Sequence, residues 1–170
     1  MLGGVCMNIE FEELTHENLP IAIQIDRADI PEDFVDYADT IMEITDYGIE
    51  HHCPGHTWLI KADNHYVGLI LLGDAIPWET DPVEMQREPF YRLMGFVIDR
   101  SCRSKGLGGM ILEKAIDQIY KEFGKRPIAL GCHKDNIRAA KFYQNHGFKS
   151  TGVYEGNDEY YLRLLHRVSD

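Results

Sequence analysis

The chain has 170 residues, with 17 Lys and Arg against 28 Asp and Glu, a formal charge of −11 with His neutral. At 44% apolar and 26% charged it has a globular composition, and its length suits a single domain over residues 1–170 with a core that needs no metal or disulfide. No apolar run approaches the roughly 20 residues that cross a bilayer, and so acidic a surface repels phosphate backbones, which excludes membrane and nucleic-acid classes.

Residues 1–6 lack the charged start and apolar stretch of a signal peptide, and Met7, where a strand-like alternation begins, is an alternative start. Cys6, Cys53, Cys102 and Cys132 are scattered without paired spacing, as suits reduced thiols in a cytoplasmic protein. Residues 8–14 alternate as a strand. Thr15 then caps a helix through Ile21, Ile25 and Ala28, and Pro31 opens a second helical stretch carrying Phe34, Ala38, Ile41, Met42 and Ile44. Pro54 and Gly55 mark a break. Residues 57–62 and 66–73 read as two strands turning at Asp63-Asn64. Residues 75–89, with Pro77, Pro82 and Pro89, read as an irregular insertion. Residues 90–98 are nearly all apolar and form a central strand. Leu107, Ile111, Ala115, Ile119 and Phe123 recur at four-residue steps and mark a long helix. A short strand at 127–132 precedes a helix from Asn136 to its stop at Gly147, and a last hairpin, 148–154 and 159–165, turns at Gly156-Asn157. The result is a mixed α/β domain.

Chemistry concentrates in residues 96–110, FVIDRSCRSKGLGGM. A buried strand runs through Arg103, Ser104, Lys105, Gly106, Leu107, Gly108 and Gly109 directly into a helix. Glycine lets backbone approach a ligand closely, and the first amides of a helix have no internal partner and face outward at the positive dipole end. Such a loop suits phosphate, with Arg103 and Lys105 adding mobile positive charge. A dinucleotide-binding turn fits poorly, because the third glycine of G-x-G-x-x-G is missing and the strand comes late in the chain. A Walker loop fails for want of a Gly-Lys-Ser or Gly-Lys-Thr.

Arg103-Ser104-Lys105-Gly106-Leu107-Gly108 resembles the R/Q-x-x-G-x-G/A acyl-CoA loop of the GNAT superfamily of N-acetyltransferases. Asn136-Ile137-Arg138-Ala139-Ala140-Lys141-Phe142-Tyr143, followed by Gly147-Phe148, is similar to that family's N-x-x-A-x-x-x-Y…G-F segment. The element order from Asn8 to Leu165 agrees with its fold. The resemblance therefore implies a GNAT fold, a central mixed sheet of about six to seven strands flanked by about four helices. It implies acetyl-CoA as acyl donor. Backbone of Phe96, Val97 and Ile98 would hold the pantetheine arm, with a backbone N–H near Phe96 polarising the thioester carbonyl. Amides from Arg103 to Gly109 would hold the pyrophosphate, Asn136 would touch the cofactor, and Tyr143 would stand near its sulfur.

Transfer of acetyl to an amine needs a neutral amine, an activated carbonyl and a proton for the thiolate. Tyr143 is the candidate acid, since a phenol of unperturbed pKa about 10 lies just above a thiol. The base is open: residues 91–95 carry no carboxylate, which leaves Glu84, Glu88 or Tyr91 acting through water. His51, His52, Cys53 and His56 lack the second couple of a zinc site, so no metal is expected. By the same resemblance the acceptor wall holds Asp26, Asp29, Glu32, Asp33 and Asp36, then Glu79, Asp81 and Glu84, then Glu155, Asp158 and Glu159, with Trp78, Tyr37 and Tyr154 available to a cationic head. The arrangement resembles bacterial diamine and polyamine acetyltransferases. The expected partners are acetyl-CoA and a small cationic amine, with a homodimer allowed for. The alternatives are a protein N-terminal or lysine acetyltransferase and a non-catalytic acyl-CoA-binding module.

Overall fold

The computed structural model describes residues 7–103 and 106–166, so Ser104 and Lys105 lie outside the described residues. In chain order the elements are β1 (Ile9–Glu13), α1 (Leu19–Ile23), α2 (Ala38–Glu50), β2 (Gly55–Ala62), β3 (His65–Asp74), α3 (Val83–Arg87), β4 (Tyr91–Ile98), a 3₁₀ turn (Arg100–Cys102), α4 (Leu107–Phe123), β5 (Ile128–His133), α5 (Ile137–Asn145), β6 (Lys149–Glu155) and β7 (Asp158–Arg163). Seven strands form one sheet in the order β1-β2-β3-β4-β5-β7-β6, antiparallel except where β4 meets β5. The expected mixed sheet is present, with five helices in place of about four.

Alternation along the central strands gives each face its own core. Ile60, Ile70, Leu72, Tyr91, Leu93, Ile128, Leu130 and Cys132 point to one face, where Leu107, Ile111, Leu112, Ala115, Ile116 and Ile119 of α4 cover them. Leu59, Leu69 and Leu71 point to the other, against Ala22, Ile41 and Met42 of α1 and α2. The β2–β3 turn takes left-handed backbone at both Asp63 and Asn64, φ 49° and 65°, which these two short polar residues tolerate.

Two sequence expectations fail before α2. The first helix starts at Leu19, not after Thr15, because Thr15 and Asn18 bond to one another in the turn: the Thr15 N–H donates to Asn18 Oδ1 at 2.7 Å and the Asn18 N–H to Thr15 Oγ1 at 3.3 Å. The second helix starts at Ala38, not Pro31. Arg27 donates to the carbonyls of Val35 and Asp36, at 2.7 and 3.0 Å, and the Phe34 ring turns onto His133 at 4.8 Å. Those contacts hold residues 31–36 as a loop over the sheet. The insertion at 75–89 also contains the short helix α3.

Candidate active site

Strand β4 is central, yet its pairing with β5 stops after Tyr91–Ile128 and Arg92–Ala129. Beyond those pairs the two parallel strands part and leave a gap in the middle of the sheet. On its other edge β4 carries a bulge: Leu71 pairs with Met94 and Leu69 with Val97, so Gly95 and Phe96 together face Ile70. Gly95 has φ +61°, and a Cβ there would stand 2.6 Å from Ile41, so the bulge requires glycine.

A cleft of about 310 Å³ opens at this gap and is lined from both faces of the sheet. Leu93, Leu130 and Tyr143 come from the face covered by α4 and α5. Arg92, Met94, Gly131, Asp158 and Tyr160 come from the opposite face, as the register of β4, β5 and β7 requires. The loop residues Asp33, Phe34 and Asp36, together with Trp78 and Glu155, wall that second side. The cleft thus has an apolar, helix-covered side and an acidic side.

The Tyr143 ring packs edge-on against Phe142 and Phe148. Burial pushes its phenol above the ordinary tyrosine value, and nearby Cys132 acts in the same sense. The hydroxyl therefore stays protonated and can donate. Burial likewise lifts the Cys132 thiol to about 11, which keeps it from acting as a thiolate nucleophile.

At the start of α4, Gly106 is the N-cap with φ +73°, and a Cβ there would meet nothing within 4 Å. The space beside it is open, and the amides that follow face that space. The neighbouring glycines do something else. A Cβ on Gly108 would press on Ile98 and Phe142 at 3.3 and 3.4 Å, and one on Gly109 would collide with His146 at 2.8 Å, so these two let α5 pack against the first turn of α4.

Arg103 is not a mobile charge. Its Nε donates to the Ile98 carbonyl at 2.7 Å and its Nη1 bonds Asp29, which tie the loop to the segment between α1 and α2. Asn136 uses its carboxamide oxygen to cap α5, accepting from the Ala139 N–H at 3.2 Å. Tyr91 is buried and donates to the Gly124 carbonyl at 2.6 Å, which takes it out of contention as a base, and neither Glu84 nor Glu88 lines the cleft.

The acidic wall divides into two groups. Asp81 is buried, pairs with buried Arg92 at 3.1 Å, and accepts from Tyr160 Oη at 3.0 Å and the Trp78 N–H at 2.9 Å. The Arg92 guanidinium lies 3.9 Å from the Trp78 ring centre, and that of Arg27 lies 4.3 Å from the Tyr37 ring. Those two aromatics already hold the protein's own arginines. Asp33, Asp36, Glu155 and Asp158 remain to face the cleft. Of the histidines outside it, His56 sits between Glu13 and Glu122, and His51 is bound to the Tyr47 carbonyl at 2.8 Å. Among the described residues, no helix is long and apolar enough to cross a membrane.

The profile of the Acetyltransferase (GNAT) family matches residues 19–148. The chain belongs to the GNAT family. It is 29% identical over 101 residues to the chloroplastic GCN5-related N-acetyltransferase 4 of Arabidopsis thaliana, a match covering 57% of this chain and 34% of that one. It is 33% identical over 64 residues to the probable spermine N(1)-acetyltransferase of Bacillus subtilis subsp. natto, covering 38% of this chain and 42% of that one. The chain thus spans between about a third and just under half of the length of the curated relatives it matches. In fold it is similar to spermidine N-acetyltransferase from Vibrio cholerae in complex with CoA and spermine, with a TM-score of 0.62 at 14% identity, covering 91% of this chain and 92% of that one. Among the described residues, Gly106 to Gly108 of the loop motif stand at the start of α4, and Asn136 to Tyr143 run from the N-cap of α5 along that helix.

Proposed function

We propose that this GNAT protein moves the acetyl group of acetyl-CoA directly to a primary amine of a small cationic molecule, a polyamine or a similar compound. The observation that carries the reading is the gap in the sheet, with a helix N-terminus on one side and carboxylates on the other. An acyl-CoA fits the residues present: Gly106 leaves open space beside unpaired amides, and the parted edge of β4 offers unpaired backbone. The amides from Arg103 to Gly109, including those of Ser104 and Lys105, would hold the pyrophosphate. Phe96, Val97 and Ile98 would hold the pantetheine arm, and an amide in the Gly95–Phe96 bulge would polarise the thioester carbonyl. Asn136 would meet the arm by its remaining amide group.

Tyr143 would donate its proton to the leaving sulfur, since burial keeps the phenol protonated until the thiolate forms. Asp33, Asp36 and Glu155 would draw in a cationic acceptor and stabilise its unreacting ammonium ends. The loop at 33–36, fastened by Arg27 and by Phe34 on His133, narrows this side of the cleft, which favours a small amine over a polypeptide acceptor. The test is a continuous assay of free CoA thiol across an amine panel. The reading expects turnover with spermidine and little with a neutral amino-acid amide. Turnover with peptide amino termini alone would assign the protein acceptor instead.

A further inference from the structure

An ammonium acceptor must shed a proton before it can attack, and Tyr143 cannot take it, because it serves the sulfur from the other face of the sheet. The gap edge of β4 carries no carboxylate. Of the four carboxylates that line the acceptor side, Asp33, Asp36 and Glu155 are exposed, and Asp158 alone is half-buried. Asp158 pairs in register with His133, which sets its side chain on the acceptor face. There it lies beside Gly131, two residues past the last β4–β5 pair on β5. A Cβ on Gly131 would stand 3.5 Å from Asp158 Cβ and 3.7 Å from Oδ2. The carboxylate thus packs against the β5 backbone where β5 has parted from β4.

A second observation points to the same spot. The His133 side chain is only 5% exposed, and its Nε2 makes no hydrogen bond although Asp33 Oδ2 is 3.0 Å away, because the oxygen lies off the line of the ring N–H. Nδ1 accepts the Asp135 N–H at 3.1 Å, so the neutral ring carries its proton on the unsatisfied Nε2. A buried ring nitrogen thus sits beside Asp33 in the acidic cluster without a well-aligned hydrogen bond.

We infer that Asp158 is the general base, taking the proton of the acceptor amine at the gap between β4 and β5; the inference rests on the amine-acetyltransferase reading. Burial raises the basicity of Asp158; His133 opposes this, and Glu155, Asp36 and Asp33 reinforce it. The step balances as follows. The ammonium gives one proton to the Asp158 carboxylate, which passes it to solvent. The freed lone pair forms the N–C bond and the C–S bond breaks. The sulfur takes the Tyr143 proton, the second nitrogen proton leaves to solvent on the acceptor side and solvent restores the phenol, so one proton leaves overall.

The experiment compares wild type, Asp158→Asn and Asp33→Asn with two acceptors: the best amine of the panel and its β,β-difluoro analogue, which is less basic and arrives uncharged. CoA affinity by calorimetry and thermal unfolding verify that each variant is folded. Asp158→Asn should lose about 10² to 10⁴ in kcat/KM for the parent amine, and the loss should shrink below about tenfold for the difluoro amine. Asp33→Asn should act mainly on KM. Undiminished turnover in Asp158→Asn, or an equal loss for both amines, would overturn the assignment. If wild type acetylates no amine at all, the functional reading fails and the base falls with it.

Discussion

Tyr143 is held among aromatic rings with its phenol pushed above the ordinary range, so it keeps its proton across the working pH. Tyr143→Phe preserves the ring packing and removes only the donor. Steady-state kinetics should show turnover reduced by about 10² to 10⁴ with CoA affinity nearly unchanged. In the wild type the rate should climb as pH rises above neutrality, because the amine is deprotonated while the acid is not yet lost. Full turnover in the mutant would leave Tyr143 as packing alone. At Gly106 a Cβ would meet no protein atom, but φ +73° disfavours any side chain. Gly106→Val should therefore lower stability by only about 1–3 kcal/mol by thermal unfolding. CoA affinity measured by calorimetry should fall much further, because the side chain would fill the space where backbone and ligand approach.

At the scale of elements, the sequence was most legible where the signal is local. The four-residue steps from Leu107 to Phe123 coincide with α4, Asn136 caps α5, and Asp63-Asn64 turns the hairpin. Two of the failures involve partners distant in sequence. Arg103 finds Asp29 at a separation of 74 residues, and Phe34 finds His133 across the sheet, so neither periodicity nor composition could reveal them. The parting of β4 from β5 leaves no mark in composition. Asp158 was one acid among many in the sequence, and only its register over Gly131 distinguishes it. Asp81 is the converse case, an apparent wall residue that is a buried counter-ion. It binds the residues 75–89 to β4 and β7 through Arg92 and Tyr160. Asp81→Ala leaves the Arg92 charge buried and unpaired, so it should cost about 3–5 kcal/mol in denaturant unfolding. A cost near zero would mean that Asp81 is a ligand residue after all.

Over the whole molecule, the charge of −11 and the carboxylates at the cleft would act together on the proposed cationic acceptor. Attraction between exposed charges is screened beyond about 8 Å at physiological ionic strength. Raising salt should therefore increase the Michaelis constant for spermidine while leaving that of a neutral amine unchanged; equal salt dependence for both would reduce the acidic surface to a solubility device. The central claim is that the cofactor and the amine enter from opposite faces and meet through the gap between β4 and β5. Linking the two ligands makes the second contact intramolecular, and a conjugate that spans the gap gains accordingly. The direct measurement is the affinity, by calorimetry, of a spermidine–CoA conjugate joined through an acetyl bridge at the sulfur. The conjugate should bind at least about 10² times more tightly than CoA, and Asp158→Asn should erode that gain. A conjugate that binds no better than CoA would show that the two sites do not meet there.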